Sequence, residues 1–189
     1  MSEVLVTIPA RKGSRGVINK NIRPINGLKL LDWTCNLALH LGFDTVLSTD
    51  IEDYTPPQGI VKLNRIPSLA NSHALAHHVW QNANYEAGKR FNRTWNYHIY
   101  LEPTCPLRVV EDVLNCLEIV TSGKSESAFT VSEAPVQLSR MFCLTPDDTI
   151  MAQGDVSRPL FANTPRQKLK GNTYYVKNGA CYAKTTPIC

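Results

Sequence analysis

VLVTIPARKGSRGVINKNIRPING (Val4–Gly27) sets a short apolar run against a long basic loop. Val4 to Ile8 is β-branched and apolar, the pattern of a strand buried on both faces. Arg11, Lys12, Arg15, Lys20 and Arg23 follow with no acid among them, and Gly13 and Gly16 lie inside the run. In open α/β sheets ligands bind beyond the carboxyl ends of the strands, which is where this loop falls. Glycines let backbone N–H groups approach a ligand, while Arg forks and Lys point charges suit phosphate oxygens. The segment lacks both the G-x-x-x-x-G-K-[ST] of a P-loop and the G-x-G-x-x-G of a dinucleotide fold. Taken alone, these residues fit a phosphate-holding loop or a solvated basic turn.

The pattern downstream of the loop decides the fold class. Leu30, Leu31, Trp33, Thr34, Leu37, Ala38 and Leu41 recur at helical spacing, so a helix is predicted over Leu28–Leu41, ended by Gly42. Strands are predicted over Phe43–Ser48, Gly59–Leu63, Tyr97–Leu101, Ala128–Ser132 and Gly179–Ala183. Ser72 is predicted to cap a helix from His73 to about Arg90, and Val109–Val120 carries a further apolar helical face. On that second helix His73 and His77 would share a face at i, i+4 spacing, with no third metal ligand apparent. Strands alternating with helices imply an open α/β fold with a mainly parallel sheet. After Pro135 the rhythm fails, and residues 135–165 read as an irregular excursion such as a hairpin arm.

Bulk composition narrows the function classes. The chain has 189 residues, 43% hydrophobic and 19% charged, and fits a single domain over 1–189. A net charge of +4 is far from that of a nucleic-acid-coating tail, so the local basic excess points to a small anion. No stretch approaches the roughly 20 apolar residues of a membrane span, and the N-terminus lacks a signal-peptide core. The six cysteines form no C-x-x-C pair and read as reduced thiols, which places the expected setting in the cytoplasm.

Six motifs, taken in order, resemble the cytidylyltransferases that activate acidic sugars. Ala10-Arg11-Lys12-Gly13-Ser14-Arg15-Gly16 followed by Lys20-Asn21-Ile22-Arg23 resembles that family's A-R-x-G-S-K-G and K-N-I/L-R. Val46–Asp50 is similar to V-V-S-T-D, and Arg65–Ala70 to R-P-x-x-L-A. Leu101–Arg108 is similar to L-Q-P-T-S-P-L-R, Pro165-Arg166-Gln167 to P-R-Q, and Asn178–Tyr182 to N-G-A-I-Y. The family comprises the N-acylneuraminate cytidylyltransferases (CMP-sialic acid synthetases) and relatives acting on 3-deoxy-manno-octulosonate.

The resemblance implies a Rossmann-like nucleotide-diphospho-sugar transferase fold, helices on both sheet faces and a dimerisation arm at 135–165. It implies transfer of CMP from CTP to the anomeric hydroxyl of a 2-keto sugar acid, with loss of pyrophosphate. Arg11 and Arg15 would then be catalytic, stabilising the departing pyrophosphate. Ala10, Gly13, Ser14, Lys20, Asn21, Arg65 and Ala74 would bind the nucleotide, with Arg65 at the base. Glu102, Arg166 and Asn178 would face the sugar. Ala76 stands where many members carry Ser, and Glu102 where Gln is usual. Glu102 could repel the acceptor carboxylate, help to hold Mg²⁺, or simply bond to Thr104. The resemblance also implies Mg²⁺ and a homodimer. The aspartates that bind the metal in the family, in an I-D-I-D-T-like stretch, have no counterpart before Cys189. The ligands are thus unidentified, and a nucleotide-binding homologue with impaired catalysis is the alternative.

Overall fold

The computed structural model describes residues 3–14, 16–134, 142–144, 150–152 and 175–188. Arg15, Arg166 and most of the excursion at 135–165 lie outside them. Two compact units are present, Met1–Thr130 with Gly179–Cys189, and Val131–Asn178.

In the first unit, β1 (Val4–Ala10) is buried along nearly its whole length. It pairs in parallel with β4 (Asp44–Thr49) on one side and β6 (Tyr97–Tyr100) on the other. β5 (Ile60–Asn64) extends the sheet in parallel beyond β4. β10 (Tyr175–Thr185) joins β6 antiparallel with Tyr182 opposite Tyr100, and β7 (Ser127–Glu133) lies beyond it. The order is therefore β5-β4-β1-β6-β10-β7. In the second unit, β8 (Phe142–Leu144) and β9 (Ile150–Ala152) pair antiparallel within the stretch read as a hairpin arm.

Helices cover both faces of the sheet, as the sequence implied. α1 (Leu30–Leu41) and α3 (Val110–Thr121) bury Leu31, Cys35, Ala38, Val113 and Leu117 in one cluster with Val6 and Ile8. α2 (Ala76–Phe91) lies on the opposite face, where Ala87 joins Leu5, Val46 and Trp95. Alternating residues of β1 thus feed opposite cores, which is the period-two geometry of a strand. Right-handed crossovers require this arrangement, because the chain moves away from β1 through α1 and returns past it through α2. The reversal puts a topological switch point between β1 and β6, whose following loops part to leave a crevice. Among the described residues, no helix is long and apolar enough to cross a membrane.

Three local expectations are corrected. Leu28–Lys29 is not helical; it forms β3, paired with β2 (Pro24–Ile25). Asn26 (φ 49°) and Gly27 (φ 82°) make the tight turn between them, which requires two positive φ angles. α2 starts at Ala76 rather than His73, with Leu75 instead of Ser72 at its N-cap position. The Asn71 side chain accepts the His73 N–H (2.8 Å) and holds that stretch in a turn, so His73 and His77 form no helical i, i+4 pair. β10 is also longer than the predicted Gly179–Ala183.

Two buried polar groups affect stability. His98, 1% exposed, shares a 2.8 Å hydrogen bond between Nε2 and the Thr186 hydroxyl. That hydroxyl donates to Trp95 O (2.7 Å), so its oxygen accepts from His98 Nε2–H and Nδ1 is left without a partner. Burial pushes the imidazole pKa down to about 4. On α1, the Thr34 hydroxyl is buried and unpartnered. Thr34→Val removes an unsatisfied hydroxyl at nearly constant volume, so the unfolding free energy is expected to rise by about 1 kcal/mol. Urea denaturation checks this, and a lower midpoint at unchanged slope would contradict it.

Candidate functional site

At the switch point the loop after β1, the residues after β5 and the end of β6 enclose a cleft of about 530 Å³. Arg11, Ser14 and Lys20 line it from the first loop, Arg65 from the second, Ala74 from the approach to α2, and Tyr100 and Glu102 from β6 and just beyond. One cavity therefore gathers side chains from four separate parts of the sequence.

The loop is pinned from both sides. Asn21, 5% exposed, donates Nδ2 to Arg11 O (3.0 Å), and the Lys12 N–H donates to Asp50 Oδ1 (2.6 Å). Asp50 immediately follows β4, so the sheet itself fixes the height at which the basic loop leaves it. Gly13 holds φ +70° with no atom within 4 Å of where a Cβ would sit. The glycine is needed there for its backbone conformation rather than for space.

Arg65 is 8% exposed, an unusual degree of burial for a guanidinium. Nη2 donates to Ser48 O (2.7 Å), Nε donates to Ser48 Oγ (3.3 Å), and the backbone N–H donates to Thr49 O (2.9 Å). The side chain is thus locked to the end of β4 while it lines the cleft. Burial pulls its pKa down; the fields of Tyr100 and Asp50 act the other way, and Arg11 adds to the lowering. Tyr100, 5% exposed, contacts Trp80 (ring centroids 5.2 Å apart) and Tyr182 (6.4 Å). Burial raises its phenol pKa well above the usual range, with Arg65 opposing and Glu102 reinforcing the shift.

After β6, Arg108 Nη2 donates to Glu102 O and clamps the turn that presents Glu102. The carboxylate accepts only a long hydrogen bond from Thr104 Oγ1 (3.4 Å to Oε2). Gly179, at φ +76°, brings β10 so close that a Cβ there would lie 3.2 Å from Glu102 Oε2. Among the described residues, no group of three or more His, Cys, Asp or Glu side chains could hold a metal ion. The described residues therefore do not form a protein cage for Mg²⁺.

Comparison with known proteins finds relatives of this chain. Residues 5–58, which include β1, the basic loop and α1, match the cytidylyltransferase family model. The flagellin modification protein B of Campylobacter coli is 32% identical over 71% of this chain and 60% of its own length. The CMP-N,N'-diacetyllegionaminic acid synthase of Legionella pneumophila is 28% identical over 96% of this chain and 78% of its own. An N-acylneuraminate cytidylyltransferase of Streptococcus agalactiae is 27% identical over 67% of this chain and 31% of its own length. The present chain spans 60% of the length of the Campylobacter relative. A CMP:2-keto-3-deoxy-manno-octonic acid synthetase solved with CTP shares the fold, with a TM-score of 0.60 and 18% identity over 97% of this chain and 74% of that one.

Within this fold the expected site residues fall into three groups. Arg11, Ser14, Lys20, Asn21, Arg65, Ala74 and Glu102 line the cleft. Ala10 is fully buried in the core beside α1, so it presents backbone rather than side chain, and Gly13 is exposed on the loop. Asn178 belongs to the second unit, where its Nδ2 donates to Ser132 Oγ (3.1 Å). Two cleft residues escaped the sequence reading. Tyr100 looks like the last core residue of a strand, and the only signal for it was its place just before a strand-ending Glu-Pro. Thr104 lies in the same turn and was read only as a partner for Glu102.

Proposed function

We propose that this cytidylyltransferase transfers CMP from CTP to the anomeric hydroxyl of a 2-keto sugar acid of the nonulosonate type, releasing pyrophosphate. The observation that carries the reading is the convergence of Arg11, Lys20 and the locked Arg65 on one cleft at the switch point. The names of the relatives support the choice of nucleotide and acceptor. In the reaction the anomeric oxygen forms a bond to the α-phosphorus as the bond to the bridging oxygen of pyrophosphate breaks, and the hydroxyl proton leaves to solvent. Such a transfer depends on alignment and on fixed positive charge where negative charge grows. Arg11 and Lys20 meet that need at the phosphate end, and Arg15 would add to them. Arg65 would meet the polar edge of the base, whose O2 and N3 accept hydrogen bonds.

Mg²⁺ and a homodimer are parts of this proposal. Mg²⁺ commonly binds through substrate phosphates with one or two carboxylates and several waters, so it would be carried mainly by the nucleotide. The free thiols of Cys35, Cys105, Cys116 and Cys181 favour a reducing, cytoplasmic setting. The test is pyrophosphate release from each of the four nucleoside triphosphates, offered with a panel of 2-keto sugar acids, with and without Mg²⁺. Release is expected with CTP and at least one nonulosonate. Tight CTP binding without release under any condition would leave a nucleotide-binding homologue instead.

A further inference from the structure

The cleft carries charges of both signs. Arg11, Lys20 and Arg65 line it with cations, while Glu102 contributes a carboxylate just beyond β6. Tyr100 lines the same cleft and feels both fields, Arg65 lowering and Glu102 raising its phenol pKa. Among the described residues Glu102 makes no ion pair, and its one side-chain hydrogen bond is the long contact from Thr104. The β10 backbone at Gly179 closes one side of the carboxylate, and the clamp from Arg108 fixes the turn beneath it. The buried Arg108 guanidinium feels the Glu102 charge but bonds the backbone carbonyl rather than the carboxylate. A half-buried carboxylate that lines a polyphosphate site without an ion pair is costly, because it is repelled by the ligand and partly desolvated. A ligand that brings its own cation to that end removes the cost. The Tyr100 ring beside the carboxylate adds an aromatic face, the other element that recognises an ammonium group.

We propose that Glu102 is a specificity-determining residue that selects an acceptor bearing a protonated amine on the sugar acid, with Tyr100 supplying the aromatic wall. The inference rests on the cytidylyltransferase reading above. The acceptor's own carboxylate would be repelled by Glu102, so the sugar must present a different substituent to it. An ammonium group satisfies the carboxylate in both charge and hydrogen bonding, whereas an N-acyl group brings a single amide N–H and a carbonyl oxygen that would face the anion.

The experiment uses two 2-keto sugar acids that differ only in one nitrogen, free amine against N-acetyl. Binding of each is measured by calorimetry in the presence of a CTP analogue that cannot be cleaved between the α- and β-phosphates, alongside pyrophosphate release with CTP. The amine form is expected to bind at least about 10-fold more tightly, the range of a charge-assisted hydrogen bond. Glu102→Gln is expected to abolish that preference, and Glu102→Asp, which keeps the charge, to retain its direction. Thermal melts of both variants confirm folding. Equal or tighter binding of the N-acetyl form, a preference that survives Glu102→Gln, or binding of neither acceptor would overturn the inference. So would a Glu102→Gln effect confined to Mg²⁺ dependence. Pyrophosphate release with no amine preference sinks this inference alone, and amine-selective binding without release sinks the catalytic reading alone.

Discussion

Arg65→Ala is expected to weaken CTP binding roughly 10- to 100-fold, the loss that follows when charge-assisted hydrogen bonds to a ligand are removed. The size of the effect follows from how the side chain is held. Ser48 fixes the guanidinium through Nε and Nη2, so the group lining the cleft is already oriented before a ligand arrives. Burial has removed much of its hydration in advance, which makes a polar ligand its replacement for water. Arg65→Lys is expected to recover little, because an ammonium cannot bond Ser48 O and Oγ as a fork and still reach the ligand. Calorimetric titration with CTP measures both variants, with thermal melts showing that each is folded. A folded Arg65→Ala protein that binds CTP within about twofold of wild type would remove Arg65 from the nucleotide site.

Acid is expected to destabilise the fold through His98 well before the carboxylates are all protonated. In the unfolded chain this imidazole titrates near 6.5, and in the folded chain at about 4. Above pH 6.5 it is neutral in both states and contributes no pH dependence. Between pH 6.5 and 4 the unfolded state takes up a proton that the folded state refuses, so stability falls with pH at a slope approaching one proton. Below pH 4 both states are protonated and the slope vanishes, after a total loss of about 3 kcal/mol. The cause is burial of the ring, which a backbone hydrogen bond at Trp95 offsets only in part. Urea melts of wild type and His98→Gln across pH 7 to 4 test this. The difference curve should carry the one-proton slope, and parallel curves would show that another group controls acid unfolding.

The fold was legible in the sequence wherever long-range packing repeats a simple period. The β-branched runs at Val4–Ile8 and Val46–Ser48 and the helical stripe through Leu31, Thr34 and Ala38 are buried as their patterns imply. What was missed depends on single side-chain contacts. The predicted helix was started at Leu28, directly after Asn26-Gly27, although this dipeptide is itself a strong hairpin signal. The start of α2 was displaced because Asn71, not Ser72, captures the local N–H groups. The candidate site followed the same division. Arg11, Lys20 and Glu102 were found because motif positions beyond strand ends face a crevice. The burial of Arg65 and the place of Tyr100 in the cleft follow from strand order, which no local pattern encodes.

The position of β10 in the sheet has a consequence for how the protein is made. β10 inserts between β6 and β7, although it follows both in the sequence. During synthesis the strands β5-β4-β1-β6, the basic loop and Arg65 have all emerged while the free side of β6 still lacks its neighbour. A nascent chain at that stage has the phosphate-facing half of the cleft in place and an unpaired strand edge beside it, the kind of surface on which growing chains stick to one another. Arrival of β10 caps that edge and, through Gly179, sets the wall against Glu102. The side of the cleft that holds Glu102 is therefore completed only after the phosphate-facing side, by the same pairing event that covers the edge of β6.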